Sequence, residues 1–367
     1  MTTFIRIMNM PKGKNRAGAP NENRASARSP FYLSSAPETV TWELTYNCNL
    51  RCLHCSTTQT PCTQINTLGL EEKLTIIDRL KSAKVFRVAL SGGEPLLDPH
   101  FDIIANKLLR SDFFDILLTT NGLLLDANRI RKLRKIGIKR IQVSLDGASA
   151  FTHDYIRGER GVFNKVINNL KKLNGDFNLT INTVVLKLNY SELPYMLKLV
   201  KSLKVTTWRM VLLVPVSNFT LDLQITPEEF KQLVIWTEKM KKGEKNIHIV
   251  GPTFKLQPNV QVLDGAIKSD RLYCEAGITL CTIMADGTII PCTYFNSPLF
   301  YAGNIIHNGL EEIWRFSKIL NVFRNLGTLP FHCKNCDIKD TCHGGCRAAA
   351  YYRYNSLTAM DPRCFQQ

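Results

Sequence analysis

Val40-Thr41-Trp42-Glu43-Leu44-Thr45, followed after Tyr46-Asn47 by Cys48-Asn49-Leu50-Arg51-Cys52-Leu53-His54-Cys55, is the stretch on which the fold turns. A short apolar strand runs directly into a loop bearing three thiols. In barrel-like α/β proteins the loops after the strands are where reactive groups gather. Cysteine sulfur holds iron–sulfur clusters, and three thiolates on one loop can wrap one face of a cubane and leave its fourth iron open. Zinc competes for any cysteine cluster. A C-x3-C-x2-C trio on one loop is unusual for a zinc knuckle, however, and His54, adjacent to Cys55, is poorly placed as a fourth ligand.

Further along, the strand-then-helix texture recurs. Short apolar strands are predicted at Val40–Thr45, Arg87–Ser91, Asp115–Thr120, Ile138–Leu145, Leu179–Leu186 and Thr207–Val214. Amphipathic helices are predicted near Leu70–Lys84, Phe101–Arg110, Ala127–Ile136, Val162–Leu173 and Ser191–Leu203. A sixth follows at Pro227–Lys241, with Thr226 as N-cap and Pro227 at the first helical position, where its missing N–H does no harm. Such alternation builds a parallel sheet with right-handed crossovers. Six units are too few to close an eight-stranded barrel. The expectation is therefore α/β, with an open, partial (β/α)6 barrel over residues 37–245.

A connector at 246–273 leads into a different texture over 274–367. There strands are short, glycines frequent, and eight cysteines fall between Cys274 and Cys364. With little apolar material for a core, this part is expected to be organised by metal.

A composition of 44% hydrophobic and 21% charged residues is that of a globular protein. Residues 1–17 carry Arg6, Lys12, Lys14 and Arg16 but no apolar stretch of secretory length. Apolar runs such as Val211–Val216 are far too short to span a bilayer. The chain reads as cytoplasmic, without a membrane partner. In a reducing compartment its twelve cysteines call for an account other than disulfides. Spacing provides one for eleven, and Cys62 is left as a structural thiol. The net charge of +16 has six basic residues and one acid in the first thirty positions, which predicts a flexible basic tail over 1–36. Lys132, Lys135, Lys171 and Lys172 lie on amphipathic helices as solvated faces. No nucleic-acid motif accompanies the charge.

Beyond the triad, Ser91-Gly92-Gly93-Glu94-Pro95 ends the second strand and Ser144-Leu145-Asp146-Gly147 closes the fourth. With the C-x3-C-x2-C loop, these segments resemble the radical S-adenosylmethionine superfamily. The resemblance implies that Cys48, Cys52 and Cys55 hold a [4Fe–4S] cluster whose unique iron chelates S-adenosylmethionine. It implies that Ser91, Gly92, Gly93 and Glu94 receive the methionine amino group, with Glu94 accepting from the ammonium. Ser144 and Asp146 become ribose contacts, and Arg157 a partner of the cofactor carboxylate; a surface ion pair is the competing account of Arg157. Thr119-Thr120-Asn121-Gly122 is expected to line the same pocket. Reductive cleavage of the cofactor would yield methionine and a 5′-deoxyadenosyl radical that abstracts hydrogen from an unactivated carbon.

The later cysteines read Cys274-x12-Gly287-x4-Cys292, Cys333-x2-Cys336-x5-Cys342-x3-Cys346 and, after seventeen residues, Cys364. This resembles the SPASM motif of peptide- and protein-modifying radical enzymes, with Cys281 as an eighth thiol. By that resemblance Cys274, Cys281, Cys292 and Cys346 hold one auxiliary [4Fe–4S] cluster and Cys333, Cys336, Cys342 and Cys364 another, three clusters in all. A zinc ribbon is the competing reading of the C-x2-C pair.

Thr41–Cys48 and Cys342-His343-Gly344-Gly345-Cys346-Arg347 resemble mycofactocin-type maturases, near the tyramine-excising spliceases. Haem-pathway relatives usually have fewer auxiliary ligands, which argues against that branch. The resemblance implies a ribosomal peptide maturase acting on a precursor peptide, at a tyrosine with decarboxylation or tyramine excision. The alternatives are a sulfatase-type maturase that makes formylglycine, and a metal-stapled nucleic-acid-binding module. With about 36 residues before the first strand, a winged-helix leader-binding domain does not fit, so a separate leader-binding protein is expected. So is an external electron donor such as flavodoxin or ferredoxin.

Overall fold

The computed structural model describes residues 34–56, 67–111, 115–173, 175–252, 274–326 and 330–365. Cys62, nearly all of the basic tail and most of the connector lie outside the described residues.

Among the described residues, seven strands run parallel in chain order: β1 (Thr39–Glu43), β2 (Arg87–Ser91), β3 (Asp115–Thr120), β4 (Arg140–Ser144), β5 (Asn178–Val185), β6 (Thr207–Leu212) and β7 (His248–Val250). Between them lie α1 (Leu70–Ser82), α2 (Phe101–Leu109), α3 (Ala127–Ile136), α4 (Ala150–Arg157), α5 (Val162–Leu170), α6 (Leu193–Ser202), α7 (Asn218–Leu221) and α8 (Pro227–Gly243). The six predicted strands and six predicted helices are present, with ends that differ by a few residues. At α8 the expected cap is in place: Thr226 Oγ1 accepts from Glu229 N–H, and the Glu229 carboxylate accepts from Thr226 N–H in return. Helix α4 was not foreseen. Its eight residues give a short pattern, although Ser149 caps its start and Gly158 ends it in the left-handed region.

The later part contributes β8 (Leu280–Ile283), β9 (Thr288–Ile290) and β10 (Gly303–Asn304), then α9 (Leu310–Phe316), α10 (Lys318–Arg324), α11 (Lys339–Cys342) and α12 (Arg347–Tyr354). These strands extend the same sheet. Among the described residues its order is β10-β9-β8-β1-β2-β3-β4-β5-β6-β7, with two separate edges, so the sheet there does not close. Strand β8 pairs parallel with β1, from Thr39↔Leu280 to Trp42↔Ile283. This pairing covers a β1 edge whose N–H and C=O groups would otherwise stay unpaired.

Strand alternation sorts the side chains onto two faces. Val40, Trp42, Val88, Leu90, Ile116, Leu118, Ile141 and Val143 are buried in one core with Ile76, Leu80, Phe101, Ile104, Ile130 and Leu133 of the helices. Each such side chain contributes about 1.5–3 kcal/mol on burial. The opposite face is polar near the strands' C-terminal ends. Glu43 lies beside Ser91, and Ser144, Asn182 and Arg209 lie in one row across β4, β5 and β6. Among the described residues, no helix is long and apolar enough to cross a membrane.

Candidate functional site

The thiol-bearing loop leaves β1 at this polar end and is pinned on both sides. Gly93 N–H donates to Thr45 O at 2.7 Å and Glu94 N–H to Asn47 O at 2.8 Å, so the residues just before Cys48 lie flat on the end of β2. Such proximity excludes a side chain: a Cβ on Gly93 would sit 2.3 Å from Asn47 O, and one on Gly92 2.4 Å from Thr45 O. The glycines that the resemblance offers to a cofactor thus also seat the protein's own loop. On the other side, Arg51 N–H donates to Arg157 O and Leu53 N–H to Ile156 O, docking the loop on the end of α4.

Glu94 is fully buried at the centre of a network. Its Oε1 accepts from Leu96 N–H and Thr120 O–H, and its Oε2 from Asn121 N–H. Asn121 Nδ2 in turn donates to Asn49 Oδ1 at 2.8 Å, inside the cysteine loop. Thus one carboxylate ties the ends of β2 and β3 beneath the thiols. Burial pushes its carboxyl up to about 7. A carboxylate oxygen accepts about two hydrogen bonds, so Oε2 keeps one acceptor position.

Asp146 and Arg157 form an ion pair at 2.7 Å, both buried. Asp146 Oδ1 also accepts from Val184 N–H, and its own N–H donates to His153 Nδ1. Arg157 Nη1 donates to Cys52 Sγ at 3.6 Å. Arg157 is therefore not on the surface, and its guanidinium lies against a thiol of the triad. His54 lies 3.6 Å from Asp146, but burial holds it down at about 4, which leaves it neutral. Ser91 and Ser144 are half-buried on the polar face. Asn182, which sequence reasoning passed over, pairs in register with Ser144 and has a buried Oδ1 with no hydrogen-bond partner. The alternation of β5 was the signal that could have found it.

The later cysteines separate into groups. Cys333, Cys336, Cys342 and Cys364 line one cavity with Ile338, Lys339, Gly344, Met360 and Asp361. Cys274, Cys292 and Cys346 gather elsewhere with Tyr294, Phe295 and Ala348. There burial, first, and then the charges of Cys274, Cys346 and Glu43 push the Cys292 thiol well up. Cys281 is not brought to them. It is fully buried in the main core on β8, and the charge it feels is that of Arg324.

These features fit iron–sulfur clusters and a polar cofactor. Four thiols that line one cavity are the donor set that an iron–sulfur cluster takes. Among the described residues, no three His, Cys, Asp or Glu side chains converge closely enough to grip a single ion. Beside the triad, the bare Asn182 Oδ1 and half-buried Ser144 offer polar contacts to a ligand on that face.

Two family descriptions match the chain: the radical SAM superfamily over residues 42–200, and the SPASM iron–sulfur cluster-binding domain over 274–337. The AdoMet-dependent heme synthase of Methanosarcina barkeri is 31% identical, over 90% of this chain and 97% of that protein. The mycofactocin maturase of Mycobacterium tuberculosis is 30% identical, over 90% of this chain and 83% of its own. Among solved structures, Streptococcus suis SuiB bound to precursor peptide SuiA superposes with a TM-score of 0.73 at 19% identity, covering 90% of this chain and 76% of SuiB.

Proposed function

The chain belongs to the radical S-adenosylmethionine enzymes that carry a SPASM iron–sulfur domain, and from that premise we propose that it modifies a ribosomally made precursor peptide. The observation that carries the reading is the placement of the Cys48–Cys55 loop, locked between the Gly92-Gly93-Glu94 segment and α4 at the polar end of the sheet. When bound there, the cluster and S-adenosylmethionine supply a 5′-deoxyadenosyl radical for hydrogen abstraction.

The chain's own residues do the positioning. Cys48, Cys52 and Cys55 hold the cluster, and Arg157 donates to the Cys52 sulfur. Glu94 Oε2 would accept from the cofactor's ammonium, and Ser91, Ser144 and Asn182 would offer polar contacts to the rest of it. Asp146 acts through Arg157, holding its guanidinium, rather than by reaching a ribose. Cys333, Cys336, Cys342 and Cys364 hold one auxiliary cluster, and Cys274, Cys292 and Cys346 belong to another, which makes three. A separate leader-binding protein and an external flavodoxin- or ferredoxin-type donor complete the system.

A peptide substrate is supported by the mycofactocin maturase relative and by a fold that, in SuiB, is seen with a precursor peptide. At finer grain, the target is a tyrosine attacked at Cβ, where the phenol ring stabilises the radical, with decarboxylation or tyramine excision to follow. A precursor deuterated at tyrosine Cβ should pass label into 5′-deoxyadenosine; label drawn only from another residue sinks the tyrosine assignment. A second reading, haem synthesis, is favoured by the 31% identity over nearly the whole Methanosarcina barkeri enzyme. Cofactor cleavage coupled to turnover of a haem precursor, with no turnover of any peptide, would decide for it.

A further inference from the structure

We infer that the auxiliary cluster at Cys274, Cys292 and Cys346 is held by these three cysteines alone, that Cys281 is not its fourth ligand, and that one iron carries no protein thiolate. The inference rests on reading those three as cluster ligands, and it departs from the four-cysteine set that the resemblance implied.

The argument is one of strand parity. Successive residues of a strand point to opposite faces of the sheet. In β8, Cys281 stands beside Val40 of β1, and Thr282 stands beside Thr41. Val40 belongs to the apolar face packed against the helices. Glu43, two residues beyond Thr41, lies on the opposite face. The three-cysteine group is on the Glu43 side: the residue after Cys292 donates Thr293 Oγ1–H to Glu43 Oε1 at 2.9 Å. The sheet itself therefore stands between Cys281 and the other three.

The surroundings of Cys281 agree. It shares the main core with Ile283, Trp314 and Leu320, whereas Cys274, Cys292 and Cys346 pack in a different cluster. Arg324, the charged group nearest in effect, lies over the Trp314 ring at 4.4 Å and donates to Gly277 O, so it is itself built into the core. Turning Cys281 to the other face would need a one-residue slip of β8. Such a slip would send Ile283 out of the core as well and break pairing with both β1 and β9. An iron lacking a thiolate leaves a coordination position for water or for an oxygen, nitrogen or sulfur donor of the substrate.

The test counts iron and acid-labile sulfide after anaerobic reconstitution of full-length Cys281→Ala and Cys346→Ala. Cys281→Ala should retain the content of the unaltered chain, and Cys346→Ala should lose about four irons and four sulfides. An equal loss in both overturns the inference but supports the reading that a cluster is bound at this site. No loss in Cys346→Ala overturns the cluster reading beneath it. Should Cys281→Ala fail to fold, a second measurement leaves Cys281 intact. The triple variant Cys48→Ala, Cys52→Ala, Cys55→Ala removes the other three-thiolate site and is then treated with one equivalent of ferricyanide. Ferricyanide takes one electron from [4Fe–4S]2+, and the resulting [4Fe–4S]3+ releases Fe2+ from its unthiolated corner to leave [3Fe–4S]+. Its S = 1/2 EPR signal should appear at close to one spin per chain. A silent sample that keeps all its iron overturns the inference.

Discussion

Replacing Gly93 by Ala tests whether the Gly92-Gly93-Glu94 segment serves first as a seat for the cysteine loop. The new Cβ would lie 2.3 Å from Asn47 O and 2.7 Å from both Asn47 C and Tyr46 O. Ordinary contact begins near about 3.5 Å, so the loop backbone must lift by roughly 1 Å. A lift of that size breaks the Gly93 N–H to Thr45 O and Glu94 N–H to Asn47 O bonds, now 2.7 and 2.8 Å long. Two lost hydrogen bonds at about 1 kcal/mol each, with overpacking at about 1–3 kcal/mol, give a destabilisation of about 3–5 kcal/mol. Cys48 follows Asn47 directly and would move with it, while Cys52 stays tethered by its neighbours Arg51 and Leu53 to α4. The triad should therefore splay, and the variant should lose cofactor cleavage and the iron of one cluster. Gly243→Ala is the control, because nothing lies within 4 Å of a Cβ there. Urea unfolding, iron analysis and 5′-deoxyadenosine formation read the outcome. Gly93→Ala with the same midpoint as Gly243→Ala and full iron would refute the reasoning.

Arg157→Ala leaves Asp146 as an unpaired buried charge and should cost about 3–5 kcal/mol; in a double-mutant cycle with Asp146→Ala, additive losses would show that the pair is not coupled. Changing Cys333 and Cys336 together to Ala should destabilise the later domain, where metal binding is also folding energy. Turnover should vanish while some uncoupled cofactor cleavage persists, and unchanged turnover would make that cluster dispensable. Burial, followed by the Arg157 charge, holds His153 at about 4 against an ordinary 6.5. Its contribution to stability is therefore complete above about pH 6.5 and is lost as pH falls through that window toward 4. His153→Gln should remove about 2 kcal/mol of the stability lost between about pH 7 and about pH 5; urea midpoints with an unaltered pH slope would contradict this.

What the sequence by itself determined is what local chemistry encodes. Period-two and period-3.6 patterns placed β1 to β6 and six of the helices, since each element's apolar stripe must meet one core. Thr226 and Pro227 announced the start of α8, and the resemblance to the SPASM motif grouped Cys333, Cys336, Cys342 and Cys364, which the fold brings to one cavity. Only the tertiary structure decided which face each polar residue took. Asp146 and Arg157 are eleven positions apart, and nothing in either segment says that they meet as a buried pair beside Cys52. The resemblance made Cys281 equivalent to its neighbours, and it also underlay the ligand count that argued against the haem branch. The parallel pairing of β8 with β1 joins strands well over two hundred residues apart and leaves no local trace. Yet that register, through the alternation of a single strand, turns Cys281 into the core and away from the other thiols.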